Sequence, residues 1–408
     1  MWRIKDSLFK SKEAYLRGEI DARNKQSLLK IPKVVINSFC SQYYEYMHNT
    51  IISGGTIENR AIVEHALIKQ ANKLGLPVII LHSGNRFMKS GVGLASGIGN
   101  IGYYDPIIGK ECDEIADLLT DLASNLLQGK NDLFGMWSLV VDVLSLQSEP
   151  VTLERLLKFR CDRIPDILGE MAEESKISNA KRIEFTNRYG SVSSCAHEAQ
   201  RVIAKLKSYP PYTEGATLHS LEEVLDKGGI ASIDIISDTN DILKELCFAD
   251  VNRIMKQGRN FLLVVEGLSL LKRESHVDNV LLRNSGNMSL LFAANDVPAM
   301  TQESEEYFQT LVSGHTNVMI LKHNSAASAQ KWSDYLGQQY IQQVEKSMGT
   351  SKENLSLIKK TKSSNITVRE ERRDIVPPES ITRLLDYQSY VLEATERQII
   401  KVALQNHM

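Results

Sequence analysis

Residues 48–64 read HNTIISGGTIENRAIVE, and the choice of fold turns on them. Ile51-Ile52 predicts the end of a short strand and Ser53-Gly54-Gly55 a tight turn. From about Asn59 to Lys73, with Ile62, Ala66 and Ile68 at helical spacing, the pattern predicts a helix, which Gly75-Leu76-Pro77 ends. A glycine turn between strand and helix is where proteins wrap phosphate, because backbone amides and the helix amino end face the anion. The full pattern is GxxxxGK[ST], and residues 54–61 keep its place and length. Asn59 stands for the second glycine, Arg60 for the lysine, and Ala61 for the Ser/Thr whose hydroxyl binds magnesium. Arginine keeps the charge but is a planar fork rather than a compact ammonium. Glu58 adds a negative charge that opposes a polyphosphate. The candidate nucleotide-binding residues are therefore Ser53, Gly54, Gly55, Thr56, Asn59, Arg60 and Ala61.

Outward from this loop, apolar strand-length runs recur at Val78 to Leu81, Ile230 to Ile236, Phe261 to Val265, Ser289 to Ala294 and Val318 to Leu321. Little polar alternation within them fits a parallel sheet covered on both faces, and their alternation with helices gives an α/β doubly wound domain. From about Lys110 to Leu206 no strand is legible. Helical segments run roughly Glu111–Leu127, Asp132–Leu146, Thr152–Phe159 and Ala196–Lys207, punctuated by Pro150, Pro165 and Pro210-Pro211. About 100 residues is too long for one crossover connection, which predicts an inserted all-helical subdomain. The expected division is a charged segment 1–30, a first core part 31–106, an all-α insertion 107–215, a second core part 216–348, and a polar linker with a helix-strand unit 349–408. The glycine tract Gly91 to Gly102 lacks the strand-to-helix setting of a dinucleotide fingerprint and reads as a loop. The polar stretch Gly349 to Arg373 reads as a solvated linker, with a phosphate-contacting strip of Lys352, Lys359, Lys360, Lys362 and Arg369 as the alternative.

The 408 residues are 42% hydrophobic with net charge −2, against a chain that coats itself with nucleic acid; contact with DNA must be local. Five cysteines without CxxC spacing read as reduced thiols, and Cys195 with His197 is too little for a zinc site. No apolar run reaches the roughly 20 residues that a bilayer needs, and the charged start (Arg3, Lys5, Asp6) does not resemble a signal peptide. The expected location is cytoplasmic, peripheral to the inner membrane only through a partner.

Two further strand ends complete the chemistry. In P-loop motors one strand ends in Asp-Glu, for magnesium and for water activation; here Phe261 to Val265 ends in Glu266-Gly267, leaving a carboxylate without the base. Asn295, after Leu290 to Ala294, fits the polar residue that senses the γ-phosphate. Catalytically no set is intact; the candidates are Glu266, Asn295 and Arg283.

In that order the chain resembles the ATPase domain of TraG/TraD-type conjugal coupling proteins, in the FtsK/HerA group. Besides the opening stretch, the resemblance rests on LPVIILHSGN (76–85), YYDPIIGKECDEIADLL (103–119), LEEVLDKGGIASIDI (221–235), NFLLVVEGLSLL (260–271), RNSGNMSLLFAAN (283–295), TNVMILKHNSAASAQKWSDYLG (316–337) and REERRDIVPPESITRLL (369–385). It implies a RecA-like P-loop NTPase domain with a mainly parallel sheet and an inserted all-helical subdomain. It also implies a ring that passes DNA or protein, in which an arginine, Arg283 here, reaches the next subunit's nucleotide. The family's amino-terminal transmembrane helices are not recognisable here. With Ala61 and Gly267 removing the metal hydroxyl and the base, the leading expectation is a non-hydrolysing scaffold, adaptor or regulatory subunit of a type IV secretion or conjugation system, beside an active motor paralogue or secretion-system subunits. The alternative is an atypical ATP-driven DNA or protein translocase using Arg60 and Glu266. A third reading keeps ATP or ADP as a structural ligand on amides of Ser53-Gly54-Gly55, with magnesium poorly supported.

Overall fold

The computed structural model describes residues 2–27, 30–44, 47–84, 91–93, 102–127, 133–206, 216–235, 242–267, 280–281, 287–301, 303–352 and 360–404. A helix, Trp2–Ser27, leads into strand β1 (Lys33–Val35), helix Ile36–Tyr43 and strand β2 (Asn49–Ser53). Helix Ile57–Lys73 connects β2 to β3 (Val78–His82), and short strands β4 (Gly91–Gly93) and β5 (Tyr103–Tyr104) follow. Helices Cys112–Leu127, Phe134–Ser145, Leu153–Lys158, Ile164–Glu173, Asn179–Val192 and Ala196–Leu206 come next. The chain returns through β6 (Leu218–His219) and helix Leu221–Asp226 to β7 (Ile230–Asp234), helix Ile242–Lys256, β8 (Phe261–Glu266), β9 (Met288–Ala294) and β10 (Thr316–Ile320). Helix Ala326–Leu336, a ribbon of β11 (Gln338–Lys352) and β12 (Lys360–Asp374), and strands β13 (Gln388–Leu392) and β14 (Ile399–Ala403) close it.

The main sheet has ten strands in the order β1-β14-β13-β10-β2-β9-β8-β3-β7-β4. The six from β10 to β7 are mutually parallel, while β13 and β4 join antiparallel. Neighbouring side chains along each strand enter opposite cores, as the two-residue period requires. Ile51, Ile79, Leu263, Phe292 and Val318 pack with Phe248 and Trp332 on one face. Ile52, Ile80, Val264, Ala293 and Met319 pack with Phe39, Val63 and Leu67 on the other. Strands β3, β8 and β10 are buried along their whole length, which is why their sequences carry no polar alternation.

The helices between 112 and 206 form a third core around Leu119, Trp137, Val140 and Ile203. Helix Ile242–Lys256 joins this core to the sheet, giving Leu246 and Ala249 to one and Phe248 and Val251 to the other. At the junction Asp105 is fully buried, accepting from the amides of Ile107 and Ile108 and, 48 positions on, of Leu153. Beside it Lys110 lies 3.1 Å from both Asp250 and Glu222, Tyr104 donates to Asp250 at 2.8 Å, and Arg253 pairs with Glu114 and Glu222.

Several features differ from the sequence reading. Residues 349–352 and 360–373 are strand rather than linker, since β11 and β12 pair residue by residue from Gln338↔Asp374 to Lys352↔Lys360; residues 353–359, with Lys359, lie outside the described set. β12 is exposed from Thr367 to Arg373, and such a strand carries polar residues throughout, so its composition looks like that of a solvated coil. Gly91–Gly93 of the glycine tract is an edge strand on β7 rather than a loop; residues 94–101 lie outside the described set. Residues 2–27 are helical. Helices Ile164–Glu173 and Asn179–Val192 went unread; the second buries only Phe185, so it shows no apolar stripe.

Breaking a buried ion pair from one side leaves a desolvated charge and costs about 3–5 kcal/mol. Asp250→Asn, which takes from the buried Lys110 one of its two carboxylate partners and leaves Glu222, is expected to lower stability by up to that order in urea unfolding. Neutralising Glu154, whose partner Lys158 is exposed, is expected to leave the midpoint unchanged.

Candidate functional site

The site lies at the carboxy-terminal ends of the parallel strands, where β2 turns into helix Ile57–Lys73. Gly54 and Gly55 have φ of +90° and +69°, a region that side chains disfavour. A Cβ on Gly54 would lie 2.8 Å from His323 Nε2 and 2.9 Å from the Lys322 carbonyl, and one on Gly55 would lie 2.7 Å from Leu321 Cδ1. The glycines thus let the chain leave β2 wedged against the turn after β10. Their amides are already engaged: Gly54 N donates to Ala294 O at 2.9 Å and Gly55 N to Lys322 O at 2.8 Å. The expected phosphate nest on these residues therefore has two of its donors turned into the sheet.

The helix also begins earlier than its apolar spacing suggested. Thr56 is its N-cap, accepting from Asn59 N at 3.3 Å, so residues 57–59 form a first helical turn instead of an arch over phosphate. Arg60 then falls on the inner side of the helix. Its Nε and Nη2 donate to one carboxylate oxygen of Glu266 at 3.0 and 2.8 Å, and its Nη1 donates to Gly55 O at 3.0 Å and Gly54 O at 3.4 Å. The side chains are 8% and 1% exposed, so both charges are nearly out of water. Ala61 and Asn59 are buried beside them.

Glu64, one turn further along the helix, is wholly buried and neither of its oxygens has a hydrogen-bond partner. Burial, reinforced by the Glu266 charge and opposed by Arg60, holds its carboxyl well above the usual range. Glu266 and His82 face each other on adjacent strands, with Asp234 next along the row. Burial lowers the His82 pKa against the pull of Asp234. Gly267, where a motor has its base, has φ of +81°, and a Cβ there would come within 2.9 Å of Ser83 Cβ. Packing, besides chemistry, excludes a glutamate at this position.

Ser53 is buried and held by Trp332 Nε1 at 2.9 Å and His323 Nε2 at 3.1 Å. The indole can only donate, so the Ser53 hydroxyl oxygen accepts from it. Burial pushes the His323 pKa down to about 4. Its Nδ1 has no partner. A cavity of about 430 Å³ opens here, lined by Gly55, Thr56 and Asn59, by Asn295 and Asp296 after β9, by Lys322 to Ser325 after β10, and by Asp386. Lys322 pairs with Asp386 at 3.2 Å, and Asp296, just before the short helix Val297–Thr301, accepts from Ala299 N at 2.8 Å.

The structure brings Ser53 to Ala61, Glu266 and Asn295 together at one sheet edge. Arg283 lies outside the described residues. Cys195 and His197 gather no further ligands: among the described residues no group of three or more His, Cys, Asp or Glu could hold a metal. His323, Trp332 and Glu64 were missed, and only the position of His323 just after a strand, like Asn295, gave a sequence signal.

The family model of the type IV secretion-system coupling protein DNA-binding domain matches residues 256–405, from the end of helix Ile242–Lys256 through β14. Among solved structures, the bacterial conjugative coupling protein TrwBdeltaN70 in its unbound monoclinic form aligns at TM-score 0.51 and 13% identity, over 93% of this chain and 94% of that one. Residues 256–405 thus match the coupling-protein domain model, and the chain as a whole shares the fold of a conjugative coupling protein. The coupling-protein fold spans the helical layer as well as the sheet. The plasmid coupling protein TrwB in complex with ADP and Mg2+ aligns at TM-score 0.47 and 14% identity over 96% of this chain and 92% of its own. VirB4 of Thermoanaerobacter pseudethanolicus aligns at 0.44 and 14%, over 88% and 90%. No curated protein matches the chain. Among the described residues, no helix of this chain is long and apolar enough to cross a membrane.

Glu64 gives the site a pH signature. A carboxyl whose folded pKa is raised contributes stability that is complete below its unfolded value near 4.5 and is lost as pH rises through the folded value. Relative to Glu64→Gln, the unmodified protein is therefore expected to lose stability with rising pH, by up to about 1.4 kcal/mol per pH unit over that window. Thermal melts of both proteins from pH 5 to 9 test this; parallel curves would count against a protonated Glu64. Gly54→Ala, which combines positive φ with contacts under 3 Å, is expected to cost about 1–3 kcal/mol or more in the same assay.

Proposed function

We propose that this chain is a non-hydrolysing member of a coupling-protein-like type IV secretion system, acting as scaffold, adaptor or regulatory subunit of a translocation complex. One observation carries the reading: Arg60, at the place of the phosphate-binding lysine, is buried in an ion pair with Glu266, at the place of the magnesium carboxylate. In P-loop motors the lysine cradles the phosphates and the carboxylate helps to hold magnesium. Here each is the other's counter-ion, and Ala61 and Gly267 supply neither metal hydroxyl nor base. Phosphoryl transfer depends on positioning and charge neutralisation, so absence of these parts lowers rates by roughly several powers of ten.

Bound ATP or ADP, magnesium, the ring and the site residues remain parts of this proposal only where Arg60 is released, since the bonded Gly54 and Gly55 amides leave little cradle. The solved TrwB complexes with ADPNP and with ADP and Mg2+ motivate nucleotide as the ligand to test. The helices of 107–215 would serve as the face for secretion-system subunits, an active motor paralogue or a DNA or protein cargo. Purified protein, alone and with single- and double-stranded DNA, is expected to turn over ATP no faster than an Arg60→Ala/Glu266→Gln control. Motor-like turnover that this double substitution abolishes would establish the translocase reading instead. Isolation from source cells is expected to bring down an intact motor subunit.

A further inference from the structure

We propose that the outer edge of β12 is a docking site for an extended segment of a partner polypeptide, which adds to the β11–β12 ribbon as a third strand and sets a basic side chain against Glu370. The inference concerns an edge that takes no part in the site at Arg60, and it holds whether or not the chain hydrolyses ATP.

The fold treats the two edges of the ribbon differently. On the β11 side, Asn24 of helix Trp2–Ser27 donates from Nδ2 to Gln342 O at 2.7 Å and accepts from Gln342 N at 2.9 Å. One side-chain amide thereby takes the place of a neighbouring strand on that edge. The same two bonds fix which way the ribbon backbone faces. In an antiparallel ladder, a residue whose N–H and C=O point outward sits opposite one whose groups also point outward. Gln342 pairs with Glu370, so the backbone groups of Glu370 point away from β11, as do those of Val368 and Arg372 two positions to either side. Those amides have no partner among the described residues, and every residue from Thr367 to Arg373 is exposed. An unpaired row of this kind is a template for extended backbone.

The side chains specify the occupant. Tyr340, Val344, Val368, Glu370 and Arg372 share one face of the ribbon. The opposite face is turned to the protein, since Ile341 is only 6% exposed. On the open face Tyr340 is 59% and Val368 46% exposed. Arg372 covers Tyr340, donating from Nε to its hydroxyl at 2.9 Å with the guanidinium 5.3 Å from the ring centre. Arg369 pairs with Glu345 and Arg373 with Glu371, whereas Glu370 has no partner among the described residues. An incoming strand therefore meets an apolar position at Val368 and, two residues on, an uncompensated carboxylate. The matching segment carries an apolar residue two positions from a lysine or arginine. A second copy of β12 does not fit: a two-fold antiparallel pair centred anywhere from 369 to 373 sets arginine on arginine or glutamate on glutamate. Nucleic acid is unsuited too, because Arg369, Arg372 and Arg373 are balanced by Glu370, Glu371 and Asp374. The charges keep the edge from pairing with any strand at hand, and the match at Glu370 selects one.

The test uses the full chain and a fluorescein-labelled peptide in which threonine alternates with valine, lysine and valine, followed by fluorescence anisotropy. Its central lysine can sit opposite Glu370, with valines opposite Val368 and Arg372, in either strand direction. Binding with a Kd below about 1 mM is expected, and no binding at that concentration overturns the proposal. Methylating every backbone nitrogen of the peptide keeps its charge and is expected to weaken binding about tenfold or more, the scale of one or two hydrogen bonds; unchanged binding overturns strand addition. Glu370→Pro removes one outward N–H and no bond of the ribbon, and is expected to cost about tenfold or more. Glu370→Gln, which removes the charge alone, is expected to cost at most about fivefold, the worth of an exposed ion pair. Equal effects of the two substitutions overturn strand addition. If Glu370→Pro does not fold, hydrogen exchange of the unmodified protein decides: the peptide is expected to slow exchange at the Val368, Glu370 and Arg372 amides, and unchanged rates overturn the proposal. Self-association that Glu370→Pro abolishes, or displacement of the peptide by single-stranded DNA, overturns the choice of occupant.

Discussion

Arg60 and Glu266 stand 206 positions apart and meet with side chains 8% and 1% exposed. Taking two charges this far out of water costs several kcal/mol each, and the cost is offset only where geometry and further hydrogen bonds are good. The strand order supplies that geometry. β2 and β8 are separated by β9 alone, so the helix after β2 and the end of β8 lie within reach of one another. The parallel register, in which Ser53 faces Ala294 and Ala293 faces Glu266, brings the ends of all three strands to one level. A slip of one residue in either pairing would turn Glu266 to the opposite face of the sheet.

Much of the surrounding structure serves this edge. The two glycines allow β2 to end against the turn after β10, and Gly267 allows β8 to end against Ser83. Thr56 starts the helix early enough to put Arg60 on its inner side. Ser53 is fixed from behind by Trp332 and His323, both delivered by the segment after β10. At this edge Arg60 and Glu266 therefore neutralise one another. The helical layer is attached in a similar way, through the buried Lys110, Asp250 and Glu222 cluster and the carboxylate of Asp105. Buried charges at both places select one arrangement of the parts, since any shift leaves an ion unpaired.

Strand content, the glycine turn and the helical stretch were legible because each depends on local chemistry. Fully apolar runs mark strands covered on both faces, and paired glycines mark positive φ. Helix Ile57–Lys73 starts before its apolar spacing of Ile62, Ala66 and Ile68 shows it, and the signal for that start is Thr56, a preferred capping residue. The ribbon of β11 and β12 was not legible, because pairing between two polar strands leaves no apolar period to read.

By itself the sequence determined what the chain does not carry: no hydroxyl at Ala61, no carboxylate at Gly267, and no second loop glycine at Asn59. Those are properties of single side chains, and they hold whatever the fold. Only the tertiary structure decided what the remaining groups do. Arg60 and Glu266 could each have faced a nucleotide and a metal, and local propensity is silent on the choice. Strand order placed one beside the other in an interior with little water, where an opposite charge is the strongest partner available.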